Sequence, residues 1–123
     1  MTDLEIAIGT KDQDLLWSIR DSKEDLVRHW VARRIASQDR LWEMKDDDNW
    51  YVRRVMTERL EDQDRLWEMR NDKDIGVRCT VAERIEDLDR LWEMRAAETN
   101  TYVIKAIDVS INEMSDAAKE DTV

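Results

Sequence analysis

Apolar residues recur along this chain in two interleaved patterns, and both return every 25 residues. The first is a Leu-Trp pair, found at Leu16-Trp17, Leu41-Trp42, Leu66-Trp67 and Leu91-Trp92. Two positions after each Trp stands Ile19, Met44, Met69 or Met94. Leu41 and Met44 are three apart and so share one helical face. The second pattern is spaced by four: Val27, Val31, Ile35; then Val52, Met56, Leu60; then Val77, Val81, Ile85. Its fourth copy, Val103, Ile107 and Ile111, arrives one residue late. This spacing predicts a helical stripe and not the alternation of a strand. The polar residues mark the boundaries. A short first helix is expected behind a capping side chain at Asp12, Ser37, Asp62 or Asp87, and a longer second helix behind Ser22, Asp47 or Asp72. Asp14, Asp39, Asp64 and Asp89 fall in the first turn, while Arg20, Lys45, Arg70 and Arg95 fall near its end. Both placements complement the helix dipole, at ~0.3–1 kcal/mol each.

The copies beginning at Asp39 and Asp64 agree at 13 of 25 positions, which identifies them as one structural repeat. A period of this length predicts a stacked array in which each repeat covers the apolar face of the next. The expected fold is therefore all-α, a short α-solenoid of about four two-helix repeats over residues 12–114. Ile6 lies 25 residues before Val31, so residues 1–11 are read as an N-terminal cap over the first repeat. Residues 115–123 are read as an acidic, frayed tail.

The string Asp-x-Asp-x-x-Val-Arg at Asp72 to Arg78, nearly matched from Asp47 to Arg53 and followed by Val81-Ala82, resembles HEAT-type helical repeats. The repeat length resembles that of the leucine-rich-repeat variant, whose units pair a helix with a shorter one. The resemblance implies a helical array that supplies surfaces for partners. The proline common in the variant's units is missing, as is a cysteine cluster for an iron–sulfur group, and the Trp in every repeat belongs to neither pattern.

The repeats also serve as an internal alignment. On the second helix the residues at 27, 28, 31, 34 and 35 and their equivalents are held, including the ladders Arg28/Arg53/Arg78 and Arg34/Arg59/Arg84. The positions that vary are 26, 29, 30 and 33, which share one helical face. They read Leu26, His29, Trp30, Arg33; then Tyr51, Arg54, Val55, Glu58; then Gly76, Cys79, Thr80, Glu83, with Trp50 beside the middle set. A scaffold holds its packing positions, whereas a recognition surface is free to differ. The expected partner-binding residues are Leu26, His29, Trp30, Arg33, Trp50, Tyr51, Arg54 and Glu58, rich in the Trp, Tyr and Arg of binding hot spots. The competing reading is that Trp30 and Tyr51 pack between repeats. The constant Trp column is expected to be core or inter-repeat packing and not an exposed stacking ladder. The arginine ladders are expected to form inter-repeat ion pairs with acids such as Asp39, Asp64, Glu58 and Glu83.

No catalytic residue, cofactor or metal site is expected. His29 is the one histidine and Cys79 the one cysteine, so neither finds a second ligand or a base of the usual kind. Asp46-Asp47-Asp48 lacks the glycine and terminal glutamate of a calcium loop. The start carries no basic region with a long apolar run behind it, and no apolar stretch reaches the roughly 18 residues of a membrane span, so a cytoplasmic protein that does not bind membrane is expected. The formal charge of −10 disfavours direct binding of nucleic acid. Two functions stay open. One is a protein-interaction module that binds another protein through its varied face. The other is an acidic inhibitor, of the nucleic-acid-mimic or phage anti-defence type, occupying the basic channel of a nucleic-acid-binding protein. Monomer and homodimer are equally compatible with the sequence.

Overall fold

The structure, a computed structural model, describes the backbone of residues 1–121 and the side chains of residues 1–118. Every regular element among the described residues is helical. The chain divides into two halves, Met1–Glu61 and Asp62–Val123.

The N-terminal half holds α1 (Asp3–Gly9), α2 (Gln13–Ser18), α3 (Asp25–Arg34), α4 (Gln38–Trp42) and α5 (Trp50–Arg59). Helix α3 packs against both α1 and α5. Its stripe of Val27, Val31 and Ile35 is fully buried together with Ala32, and Val52, Met56 and Leu60 of the α5 segment are equally buried. Leu16 and Leu41 of the short helices are also fully buried. At the start of the chain, Thr2 and Glu5 form a reciprocal capping box that fixes α1, whose Ala7 is buried. The first eleven residues thus contain a helix packed on α3.

The C-terminal half holds α6 (Gln63–Glu68), a 3-10 turn (Met69–Asn71), α7 (Ile75–Arg84), α8 (Leu88–Ala97) and α9 (Thr101–Asp121). Helix α9 packs on α7 and α8, burying Val103, Ile107 and Ile111 beside Val77, Val81, Ile85, Leu91 and Met94. The Ser110 hydroxyl donates to the Ala82 carbonyl at 2.7 Å, so this buried polar group is satisfied. The tail read as frayed from residue 115 is helical as far as Asp121. No Gly or Pro interrupts this segment, and Ala117-Ala118 favours continuation. Residues 122 and 123 lie outside the described residues.

Local chemistry explains the boundaries. Asp12, Ser37, Asp62 and Asp87 are the N-caps of α2, α4, α6 and α8, each accepting a backbone N–H through its side chain. The caps expected for the second helices lie two residues further on, at Glu24, Asn49 and Asp74. Ser22, Asp47 and Asp72 instead accept the N–H two residues ahead, from Glu24, Asn49 and Asp74. They form a tight turn that precedes the helix and delays its start. Glu24 is the weak member, because its side chain caps nothing. Replacing Glu24 by Asn, the residue that caps α5, is expected to stabilise the protein by about 1 kcal/mol in a urea-unfolding experiment. An unchanged midpoint would show that α3 does not gain from a better cap.

Both halves repeat one set of long-range hydrogen bonds. The Gln13 amide donates to the Arg34 carbonyl and its oxygen accepts from the Ala36 N–H. Gln38 does the same with Arg59 and Glu61, and Gln63 with Arg84 and Glu86. Each glutamine thereby satisfies backbone groups where the second helix ends. Leu88 occupies the fourth position, and α9 runs on past Ile111 without a comparable end to hold.

Within the arginine ladders, Arg28, Arg34, Arg59 and Arg78 bind partners other than the acids expected. Arg28 pairs with Asp47 at 2.9 Å and with Asp25 at 2.6 Å, and Arg78 pairs with Glu98 at 3.0 Å. Arg34 donates to the carbonyls of Ala7 and Thr10, and Arg59 to that of Ala32. These guanidinium groups bond backbone oxygens near the ends of the preceding helices, where free carbonyls concentrate. Of the acids expected to serve the ladders, Asp64 pairs with Arg90 at 2.6 Å and Glu58 with Arg54 at 3.1 Å, and Asp14 pairs with Arg40 at 2.9 Å as Asp64 does with Arg90.

Candidate protein-interaction surface

The eight residues expected to bind a partner lie on α3 and α5 of the N-terminal half. Asn49 fixes where α5 begins: its side-chain oxygen accepts from the N–H groups of Tyr51 and Val52, at 2.8 and 3.3 Å. Its amide nitrogen reaches across to Asp25 at 3.0 Å, tying the first turn of α5 to that of α3. Trp50 and Tyr51 therefore occupy the opening turn of α5, next to α3.

There they meet the α3 aromatics. The His29 ring centroid lies 4.7 Å from that of Tyr51, tilted by 43°, and 5.5 Å from that of Trp30, tilted by 57°. Trp50 meets Tyr51 edge-on at 5.4 Å. These separations and tilts are those aromatic rings prefer. Trp50 and Tyr51 stay exposed, as does Leu26 one turn before Trp30, whereas His29 and Trp30 are half-buried. Arg33 is exposed and its Nε donates to His29 Nε2 at 3.3 Å. That bond places the imidazole proton on Nδ1, a buried atom with no hydrogen-bond partner. Burial first, and the Arg33 charge second, hold the His29 pKa below its ordinary value. The ring is neutral at physiological pH and behaves as one more face of an aromatic cluster. Arg54 and Glu58 pair with one another along α5 at 3.1 Å, both around two-fifths exposed, a pair worth only ~0.3–0.5 kcal/mol.

The varied face is not uniformly open. Val55 and Thr80 are buried, at 2% and 4% exposure. They lie three residues after the buried Val52 and Val77, so the helix turns them towards the packed side. The corresponding face of α7 carries no aromatic residue: Gly76 and Cys79 are half-buried and Glu83 is exposed.

The Trp column has a role that sequence reasoning missed. Trp17, Trp42 and Trp67 are half-buried and Trp92 is exposed, so none belongs to the deep core. The indole faces of Trp17, Trp42 and Trp67 carry cations. The Arg20 guanidinium lies 4.6 Å from the Trp17 centroid and that of Arg40 5.6 Å away. Lys45 lies 5.1 Å from Trp42, and Arg70 and Arg90 lie 4.3 and 5.4 Å from Trp67. The signal was the string Asp-Arg-Leu-Trp at Asp39, Asp64 and Asp89, against Asp14-Leu15-Leu16-Trp17 in the first repeat. An arginine present in every repeat that follows another points to a bond between neighbours.

The C-terminal half contains a cleft of about 430 Å³ bordered by Arg70, Arg78, Met94 and Glu98. Burial works to raise the Glu98 pKa, but the Asn100 N–H and Arg78 together hold it below the usual carboxylate value. This carboxylate is thus tuned away from proton transfer near neutral pH. Among the described residues no group of three His, Cys, Asp or Glu side chains is placed to hold a metal ion, and no helix is long and apolar enough to cross a membrane. The chain matches no protein-family model, no curated protein and no solved structure.

Proposed function

We propose that the chain is a non-catalytic protein-binding module, a short α-solenoid of HEAT-like or leucine-rich-repeat-variant type, that engages a partner protein through the aromatic cluster on α3 and α5. The solenoid reading rests on the 25-residue recurrence of the caps, the glutamine clamps and the arginine–aspartate pairs within each half. The binding reading rests on one observation: Trp50, Tyr51 and Leu26 are large apolar side chains left exposed around His29 and Trp30. Exposed aromatic rings held by a neighbouring helix present apolar area at low conformational cost. The acidic-inhibitor reading draws less support, because Asp12, Asp47, Asp62 and Asp87 serve as caps or turn formers, and Asp14, Asp47, Asp64 and Glu98 pair with arginines.

The test is capture of a partner from cytoplasmic lysate by the wild-type chain and by Trp30→Ala/Trp50→Ala/Tyr51→Ala, at low and high salt. The expected result is a partner held by the wild type at both salt concentrations and reduced at least about tenfold by the triple variant, with its helical circular dichroism retained. An aromatic-centred interface responds weakly to salt, whereas occupation of a basic channel is strongly screened. Capture that survives the substitutions but disappears at high salt would overturn the aromatic assignment and favour the inhibitor.

A further inference from the structure

The N-terminal and C-terminal halves each contain the same arginine-receiving arrangement, built on one short helix. On α2, Arg40 Nη2 bonds Asp14 at 2.9 Å, its Nη1 approaches the Gln13 carbonyl at 3.4 Å, and its guanidinium lies 5.6 Å from the Trp17 centroid. On α6, Arg90 makes the same three contacts with Asp64, the Gln63 carbonyl and Trp67, at 2.6, 3.3 and 5.4 Å. A carboxylate, a carbonyl and an indole face, set at i+1, i and i+4 of a helix start, thus take a guanidinium twice in one protein.

Helix α8 repeats the pattern with Leu88, Asp89 and Trp92, behind the same kind of cap at Asp87. Here the arginine is missing. The equivalent of Arg40 and Arg90 falls at Ser115, or at Asp116 allowing for the one-residue slip. The cation of the same repeat is also drawn away, since Arg95 bonds Asp108 at 2.7 Å, where Arg20 and Arg70 stack on their tryptophans. Trp92 is consequently 53% exposed while Trp17 and Trp67 are half-buried, and Asp89 is exposed beside it.

We infer that Asp89, Trp92 and the Leu88 carbonyl form a binding site for an arginine side chain of a partner protein. Arginine fits better than lysine, because two N–H groups must reach separate oxygens while a planar cation lies over the ring. A second copy of this chain does not supply the group in the repeat register, as the position equivalent to Arg40 at its start is Leu15. The inference is independent of the aromatic cluster on α3 and α5, and either stands without the other.

The experiment follows the six indole N–H signals of the full-length, ¹⁵N-labelled chain during titration with N-acetyl-arginine N-methylamide. The Trp92 signal is assigned from its loss in Trp92→Phe. The expected result is a saturable shift of the Trp92 signal larger than those of Trp17 and Trp67, whose faces already carry arginines. The citrulline analogue, uncharged but similar in shape, should leave it unmoved, and the lysine analogue should bind more weakly. Asp89→Asn should weaken the arginine probe by roughly three- to tenfold, while Asp3→Asn, which removes an equal charge elsewhere, should leave it unchanged. No saturable shift at Trp92, an equal response to citrulline, or equal effects of the two substitutions would overturn the site.

Discussion

Replacing Asp47 by alanine is expected to destabilise the protein by about 2–4 kcal/mol, the largest effect of any charged-residue substitution proposed for it. The Asp47 side chain is only 9% exposed and Arg28 only 14%. Its two oxygens take Arg28 Nε and Nη2 at 2.9 and 3.2 Å, and one of them also accepts the Asn49 N–H at 3.0 Å. The bond to Asp47, acting against burial, raises the Arg28 pKa above its ordinary value, and a guanidinium keeps its charge in a protein even without such a partner. Truncation therefore leaves a largely buried cation with the more exposed Asp25 and the Ser22 carbonyl alone. It also leaves the N–H of the α5 cap residue unbonded. Asp47→Asn keeps a neutral acceptor and should cost about half as much. Arg28→Ala should cost less in the Asp47→Ala background than in the wild type, giving a coupling of about 1–3 kcal/mol in a double-mutant cycle. Strictly additive effects, or a loss below about 1 kcal/mol for Asp47→Ala, would show that the pair is not what holds α3 to the turn before α5.

The second large effect separates two neighbours in one motif. Leu16→Ala should cost about 2–5 kcal/mol, whereas Trp17→Ala, which removes the larger side chain, should cost only about 1–2 kcal/mol. Leu16 is fully buried and truncation leaves a cavity that the surrounding side chains fill only in part. Trp17 is half-buried, and the two arginines over its ring retain hydrogen bonds once the ring has gone. Arg20 keeps the Trp17 carbonyl and Arg40 keeps Asp14. Urea unfolding of the two variants side by side is the check. A Trp17→Ala loss equal to that of Leu16→Ala would restore the tryptophans to the core.

What could be read from the residues alone was what depends on near neighbours. The apolar stripes and the caps of the short helices involve contacts within a few positions, and the spacing of Val27, Val31 and Ile35 or the Asp at 12 carries that information directly. The second-helix caps were misplaced by two residues because Asp47 and Asp72 look like caps locally, yet spend their side-chain oxygens on the turn before the helix. The invariance of the Trp column was ascribed to core or inter-repeat packing, without the cations that make the contacts. Stacking between cations also holds a residue constant, and periodicity alone does not separate the two. Among the candidate site residues, the sequence placed Leu26, His29, Trp30 and Arg33 on one face correctly, because that follows from helical geometry. It could not show that Asn49 bonds Asp25 and draws Tyr51 against His29, since that contact joins different helices. Val55 and Thr80 were grouped with the open face because a variable position is not necessarily an exposed one.

The glutamine clamps bear on how the chain finds this structure. They join residues 21 and 23 apart, the arginine bonds to Asp14 and Asp64 join residues 26 apart, and the Ser110 bond spans 28. None of these bonds requires distant ends of the polypeptide to meet. The entropy lost in closing each loop is nearly the same from one repeat to the next and grows only slowly with length. Folding can then begin at whichever neighbouring helices first collide, and spread outward by adding one short segment at a time. A chain of such low contact order should fold in microseconds to milliseconds, with little time for half-formed helices to meet the wrong partner.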